Sequence, residues 1–492
     1  MIRSRLYSLL AVLLLLGSGC GTASYNAITG ENTRGAYTWA QEVQIGQQSD
    51  PQIIAQYGLY NDPALQSYVE ELGQAVLQTS AYTDPTTPAE IRNTPFYFRL
   101  LDSPVVNAFA LPGGYIYITR GLLSYLENEA QLAVVLGHEI GHVLGRHSSR
   151  QALRQQRGQF AVIGGAIAGG VLGGGDVAQG ILEYGSTGAQ LLFLSHGREA
   201  ERESDQAGVA YAEFAGYDAS EAARFFRSLG RLSNQGGGGA LPSFLSTHPD
   251  PAEREQTIPQ LAAQYDTGTE INMEGYLARV ENIVIGDDPR QGFVENNTFY
   301  HPELRFEFNI PQGWQVQNTA SAVIMQEANG NAAIQMTLSQ ESSAEAAYQK
   351  LAQMQGVTIQ GQDQISIGGN TAYVAEGTAA QQNGTIGFAA TYIEYGGNVY
   401  EFLGLTSTQA YSQYRSALRG VPASFERLTS SAALNRQPAR MEVVTLRNAA
   451  TFRSLLQGRE IPLGMSEIEL AIMNEVELDT RMPAGTRVKL PS

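Results

Sequence analysis

The run Glu127–Arg146 constrains this chain more than any other stretch. Apolar residues Leu132, Val135, Leu136, Ile140, Val143 and Leu144 recur at helical spacing, which predicts a helix with a buried face. That helix carries His138-Glu139-Ile140-Gly141-His142. Positions four apart lie one above the other on a helix, so both imidazoles can reach one metal ion at about 2.0–2.1 Å. Glu139 follows by one position, so its carboxylate flanks the pair instead of joining it. A general base for a zinc-ligated water belongs there. The alternative is a pair of structural histidines on a half-buried helix, and a third ligand decides between the two.

The stretch Arg198-Glu199-Ala200-Glu201-Arg202-Glu203-Ser204-Asp205 predicts a second helix, running to about Ala215 and closed by Gly216. Glu201 and Asp205 share one face. A carboxylate ligand with an aspartate one turn on, placed to orient a ligating histidine, is what a zinc site requires. Glu199 and Glu203 read as solvated helix charges. Of the six histidines, His138, His142, His147, His196 and His248 lie inside or beside the segments that would build one site, and His301 lies apart.

With 492 residues, of which 43% are hydrophobic, the chain has room for several domains with large cores. A formal net charge of −17 argues against nucleic acid as a partner, because a phosphate-binding face needs excess Lys and Arg. Arg3 and Arg5 precede the apolar run Leu9–Leu16, which is placed like a signal-peptide core. Gly17-Ser18-Gly19-Cys20 follows, and Cys20 is the chain's single cysteine. Small residues before that cysteine resemble a bacterial lipoprotein signal. The resemblance implies lipidation at Cys20, a periplasmic location and, with Gly21 next, retention at the outer membrane. An ordinary secretory leader is the other reading. Residues 1–19 are then the leader and 20–37 a polar tether. No cysteine remains for a disulfide, so stability rests on cores and metal.

Asp62-Pro63 opens a predicted helix to about Leu77. Phe96–Leu101 reads as a strand, and Asn107–Leu111 and Tyr115–Ile118 as two strands around the turn Pro112-Gly113-Gly114. Asp218–Glu221 resembles a capping box opening the helix Ala222–Leu229. Residues 158–190 are apolar and rich in glycine. They read as a membrane-contacting hairpin or as a helical hairpin over the cleft; the uninterrupted apolar part is shorter than the ~20 residues a span needs.

Taken together, residues of about 38–270 resemble the HtpX, BepA and CAAX-prenyl-endopeptidase group of zinc metallopeptidases. The resemblance rests on His138-Glu139-x-x-His142, Arg198-x-x-Glu201-x-Glu203-x-Asp205, the Asn107-Ala108-Phe109 to Gly114 strand-turn, and Thr247-His248-Pro249 with Arg254. Gly197 and Ser204 are small departures from the group's pattern, and the helical-repeat domain of BepA has no counterpart downstream. The resemblance implies one catalytic Zn²⁺ on His138, His142 and Glu201, with Glu139 as the base. Asp205, His248, Arg198 and Arg254 would orient the ligands or regulate access. His248 stays open between extra ligand, plug and substrate contact. Asn107, Ala108, Phe109, Ala110 and Leu111 would form an edge strand that aligns an extended polypeptide by backbone pairing. The implied activity is endopeptidase action on unfolded or misassembled envelope proteins. Its rival is a non-proteolytic lipoprotein that binds clients or peptidoglycan.

The expected fold is multidomain α+β: a mainly helical zincin-type domain with a small sheet, then two further units. Over 290–428 the strands Phe306–Ile310, Ala332–Leu338, Ala372–Ala375, Thr385–Tyr395 and Val399–Leu405 alternate with helices at about 343–354 and 408–418. The phrase Phe308–Trp314 is similar to PsbP-like α+β domains, with Trp314 in the core. Residues 438–492 read as a strand, two helices and a strand, an order resembling a degenerate LysM module. That fold without glycan binding is the equal alternative.

Overall fold

The computed structural model describes residues 21–155, 197–235, 244, 247–265, 267–381 and 384–492. The leader, Cys20 and the glycine-rich 158–190 stretch lie outside them. A helical amino-terminal region is followed by a β-rich region.

The first unit is built around one helix. After the hairpin β1 (Thr22–Asn26) and β2 (Glu31–Gly35) come α1 (Trp39–Tyr57) and α2 (Pro63–Gln78). Asp62 caps α2 with its carboxylate on the Ala64 and Leu65 N–H groups, and Pro63 takes the first helical position, where no N–H is needed. Strands β3 (Tyr97–Leu101), β4 (Ala108–Leu111) and β5 (Tyr115–Thr119) form a sheet in the order β3-β5-β4. The β4–β5 turn needs its glycines: Gly113 and Gly114 have φ of +82° and +97°, and a Cβ on Gly113 would fall 2.5 Å from the Val43 Cα.

A short helix α3 (Arg120–Tyr125) leads to α4 (Glu129–Leu144), capped by Asn128 on the Gln131 N–H. Every residue of α4 from Ala130 to Leu144 is buried. A helix buried on all faces is the centre of its domain, not a surface helix with one apolar stripe. Around it pack α5 (Arg198–Phe214), α6 (Ala222–Gln235) and α7 (Pro251–Ala262).

Two sequence expectations change here. Residues 22–35 are a docked hairpin with Ser24, Asn26 and Ala27 buried, not a loose tether over 20–37. Polar composition suggested a linker, but the turn of the hairpin is anchored to both α4 and α5, by Ala27 N–H on the Leu144 carbonyl and by Asn26 on Glu203. Asp218 caps only Ser220, and Glu221 does not close the expected box; its carboxylate accepts from Asn128 Nδ2 at 2.7 Å and from Arg224 at 3.0 Å.

The second unit holds a seven-stranded antiparallel sheet. Its order is Val357–Ile367, Asn370–Gln381, Gly384–Tyr395, Asn398–Ser407, Ala332–Ser339, Ala322–Gln326 and Gln315–Asn318. Helices Ala344–Gln353 and Tyr411–Ala423 pack on it. Trp314 is half-buried against an aromatic core that includes Phe299, Phe306, Phe308, Phe402 and Phe425.

At the carboxyl end, Met441–Thr445 pairs antiparallel with Arg487–Pro491, with helices Phe452–Leu456 and Glu467–Met473 between. Met441, Phe452, Leu470, Ile472 and Val488 join the same continuous core as α4 and α6. Among the described residues no helix is long and apolar enough to cross a membrane.

Candidate metal centre

Small residues bring the two site helices together. A Cβ on Gly208 of α5 would lie 2.7 Å from the His138 backbone nitrogen, and one on Gly141 of α4 would lie 3.2 Å from the Ser204 Cα. Backbones that cross this closely put residues one or two turns away within side-chain reach. Glu201 and Asp205 of α5 thus face His138 and His142 of α4.

One ligand atom from each of His138, His142, Glu201 and His248 lies within 4.8 Å of the other three, and all four residues are buried. The two histidine Nε2 atoms are 2.9 Å apart. Glu201 Oε1 is 3.4 Å from His142 Nε2, and Glu201 Oε2 is 3.6 Å from His138 Nε2. His248 Nδ1 lies 3.2 Å from His138 Nε2 and 3.1 Å from Glu201 Oε2. Tetrahedral bonds of about 2.0–2.1 Å would set such donors about 3.3 Å apart.

The chemistry of the donors makes the stronger case. His138 Nδ1 is 2.9 Å from Asp205 Oδ1, and a carboxylate can only accept, so Nδ1 carries the proton. Burial, with Arg254 adding to it, lowers the His138 pKa to about 4 and keeps the ring neutral. Its Nε2 therefore presents a bare lone pair toward a second imidazole and a carboxylate. Burial alone would raise Glu201, but His248, His138 and Arg254 hold it down at about 2, as an anion. Lone pairs converging in a dry site suit a divalent cation, and an N/N/O set suits zinc.

Glu139 sits next to the cluster and is 0% exposed. Neither of its oxygens has a hydrogen-bond partner, and Oε1 is 3.5 Å from His248 Nε2. Burial raises its pKa to about 7, although His248 and Arg254 pull the other way. A carboxyl group poised near neutrality can take and return a proton.

Behind His138, Asp205 also accepts from Arg254 Nη2, whose guanidinium lies 4.1 Å over the Phe226 ring. Arg254 Nη1 is 3.8 Å from Glu201 Oε2. Arg198, expected among these groups, does not reach them: its side chain is 73% exposed and pairs with Asp250 at 2.9 Å. As the first residue of α5 it lies one turn before Glu201, at the exposed end of the helix. Strand β4 is an edge of its sheet, with Asn107, Ala108, Phe109 and Leu111 buried and Ala110 half-buried. Ala110 and Leu111 line a narrow cleft together with His142, Val143 and Arg146.

Two residues take places that the sequence does not assign: its spacing sets His147 only beside the site, and its helix pattern makes Glu203 a solvated charge. His147 lies beyond the end of α4, so no helical face connects it to His142, yet their Nδ1 atoms are 2.9 Å apart. Glu203 is half-buried, not a solvated charge, and faces His147 at 3.5 Å. The available signal was a further histidine five residues after His142.

The comparisons agree with this geometry. Residues 65–262 match Peptidase family M48. The chain is 31% identical over 216 residues to the beta-barrel assembly-enhancing protease of Escherichia coli (strain K12), covering 44% of this chain and 42% of that protein. It is 33% identical over 161 residues to the mitochondrial metalloendopeptidase OMA1 of Arabidopsis thaliana, covering 33% of this chain and 30% of that one. The chain thus spans less than half the length of these relatives. Among solved structures, cyanobacterial PsbP from Synechocystis sp. PCC 6803 is similar at 15% identity and a TM-score of 0.23, over 26% of this chain and 91% of that one. The similarity to Peptidase family M48 thus falls on residues 65–262, the segment that holds His138, His142, Glu201 and His248.

Proposed function

We propose that the protein is a zinc-dependent endopeptidase of the bacterial cell envelope that cleaves unfolded or misassembled polypeptides. The observation that carries the reading is the four-residue buried donor cluster with a buried Glu139 beside it that has no hydrogen-bond partner. His138, His142 and Glu201 would hold the ion. A zinc ion there supplies Lewis acidity and brings the pKa of a ligated water to around 7. Glu139 takes the proton of the attacking water and delivers it to the leaving amine. Asp205, itself held by Arg254, accepts from His138 and keeps it in its Nδ1–H form. The free edge of β4 aligns an extended substrate by backbone pairing, which tolerates many sequences and so suits unfolded clients.

His248 completes the donor set and closes the site to substrate. Its segment leads into Asp250, whose φ of +65° is a left-handed conformation at the start of α7. We read His248 as a plug that leaves when a client arrives. Lipidation at Cys20 would hold the enzyme in the periplasm against the outer membrane. One relative is named a beta-barrel assembly-enhancing protease, which supports proteolysis linked to protein assembly. The residue 290–428 unit is taken as a PsbP-like interaction domain, and 438–492 as a LysM-like module able to meet peptidoglycan.

Glu139→Gln tests the activity. It should retain zinc while lowering cleavage of unfolded casein by about 10²–10⁴-fold. Equal cleavage by both proteins would refute the protease reading and leave a client-binding lipoprotein, the reading favoured by the closed position of His248. His248→Ala should raise basal cleavage; a fall would make His248 a substrate contact instead.

A further inference from the structure

The two zinc-site imidazoles are supported differently. His138 donates to a carboxylate directly. Behind His142 stands a neutral ring, and a carboxylate comes only after it. Arg146 adopts a left-handed φ of +55° just past the end of α4, a conformation that costs a bulky residue energy. The turn swings His147 back beneath His142. Only one proton fits between two Nδ1 atoms 2.9 Å apart. His142 Nε2 faces the donor cluster and is bare, so His142 Nδ1–H donates and His147 Nδ1 accepts. The His147 proton then sits on Nε2, facing Glu203 Oε1 at 3.5 Å.

Glu203 is itself fixed from outside the peptidase helices. Asn26 Nδ2 of the amino-terminal hairpin donates to Oε1, and Arg150 donates to Oε2 at 3.0 Å. The same segment clamps the whole turn. Ala27 N–H caps the Leu144 carbonyl at 3.1 Å, satisfying an orphan group at the end of α4. Tyr37 N–H donates to Ser149 Oγ at 3.0 Å. The Arg146 guanidinium is held by Glu42 at 2.6 Å and by the Tyr37 carbonyl at 2.9 Å.

We propose that Asn26, Glu203 and His147 form a positioning chain that orients His142, making the amino-terminal hairpin a working part of the metal site. The proposal rests on His142 being a zinc ligand. A neutral imidazole is a weaker acceptor than a carboxylate, so its hold on His142 depends on Glu203, and the placement of Glu203 depends on Asn26. Asn26, six residues after Cys20, would thereby reach the metal through three side chains, its own included.

The test uses the full chain with three substitutions. Asn26→Asp keeps the Oδ1 that caps Ile28 N–H at 2.9 Å but turns a like charge on Glu203. Glu203→Gln removes the anion. Glu199→Gln, exposed on the same helix, is the control. Zinc affinity is read by competition with a chelator, and ligand geometry by the visible absorption of the cobalt(II)-loaded protein. Asn26→Asp and Glu203→Gln should each weaken zinc by about 10–100-fold and alter the cobalt spectrum, while the control changes neither. Unchanged affinity and spectrum in both variants would overturn the proposal, whatever happens to their melting temperatures. If Glu203→Gln does not fold, Asn26→Asp decides alone by the same two readouts. A wild-type protein that takes up no zinc would instead overturn the peptidase reading beneath it.

Discussion

Around α4 the chain buries Glu42, Arg120, Glu127, Glu139, Arg146, Glu201, Asp205 and Arg254, together with the imidazoles of His138, His142, His147 and His248. Among the described residues of 293–428, the buried polar side chains are Thr391 and Thr406 alone. Both units have full hydrophobic cores, so the contrast is not one of size. Burying a charge costs several kcal/mol unless a partner or ion compensates it. The first unit meets that cost with paired charges and a donor cluster that could hold a metal ion. The second unit avoids it and relies on stacked aromatics such as Phe306 on Phe425, at 5.1 Å between centroids. Chemistry and its vulnerabilities are therefore concentrated in one half of the molecule, and perturbations should separate the halves.

Metal removal should separate them most. Glu201→Ala, or a chelator on the wild-type protein, is expected to abolish cleavage and to lower the peptidase transition alone. At free zinc about 1,000-fold above its dissociation constant, binding contributes about 4 kcal/mol. Differential scanning calorimetry with and without zinc checks this. A shift of both transitions would mean that the second unit depends on the first.

Lys489 probes the same contrast at the carboxyl end. It is 1% exposed, and its ammonium meets the Ser124 and Leu126 carbonyls at 2.9 Å each and Glu127 Oε1 at 3.1 Å. Burial raises the Glu127 pKa, with Lys489 opposing it. The last strand thus places its cation just before the helix that bears the histidines. Lys489→Met should destabilise the peptidase transition by about 3–5 kcal/mol, because Glu127 is left without its cation. Adding Glu127→Leu should restore much of the loss. Urea melts of the single and double variants measure it, and an effect below 1 kcal/mol would mean that the module is an independent appendage.

What the sequence made legible follows the same division. Helix α4, its two histidines and the Glu201–Asp205 face were readable because helical period converts spacing into geometry. The Gly113-Gly114 turn was readable because few other residues adopt its φ. His147 was not: the left-handed Arg146 breaks the period between it and His142. Asn26 and Glu203 lie 177 positions apart, and no local pattern joins them. Strands such as Phe293–Glu295, Gln315–Asn318 and Ala322–Gln326 were missed because they are short and gain their place from cross-strand neighbours. In the Val357–Ile367 strand the apolar alternation of Val357, Ile359, Ile365 and Ile367 is interrupted by a register shift between Ile359 and Gly361 and by the exposed Asp363, which breaks it in the middle.

The smallest expected effect tests the second unit. His301 is its one histidine, half-buried between Phe299 and Phe306, and its Nδ1 accepts from the Leu304 N–H at 3.2 Å. Burial lowers its pKa to about 4, against about 6.5 in an unfolded chain. Between those values the unfolded chain takes up a proton that the folded ring refuses. Stability is therefore lost as pH falls from about 6.5 toward 4 and levels off below, where both states are protonated. After allowance for partial exposure, the loss should be about 2 kcal/mol. His301→Asn keeps an acceptor for Leu304 and cannot titrate in this range. Urea midpoints of the second transition at pH 7 and pH 4.5 should then differ less in the variant than in the wild type. If the variant shows the same acid sensitivity, the second unit hides a charge cost elsewhere, and its contrast with the peptidase half is weaker than its buried side chains suggest.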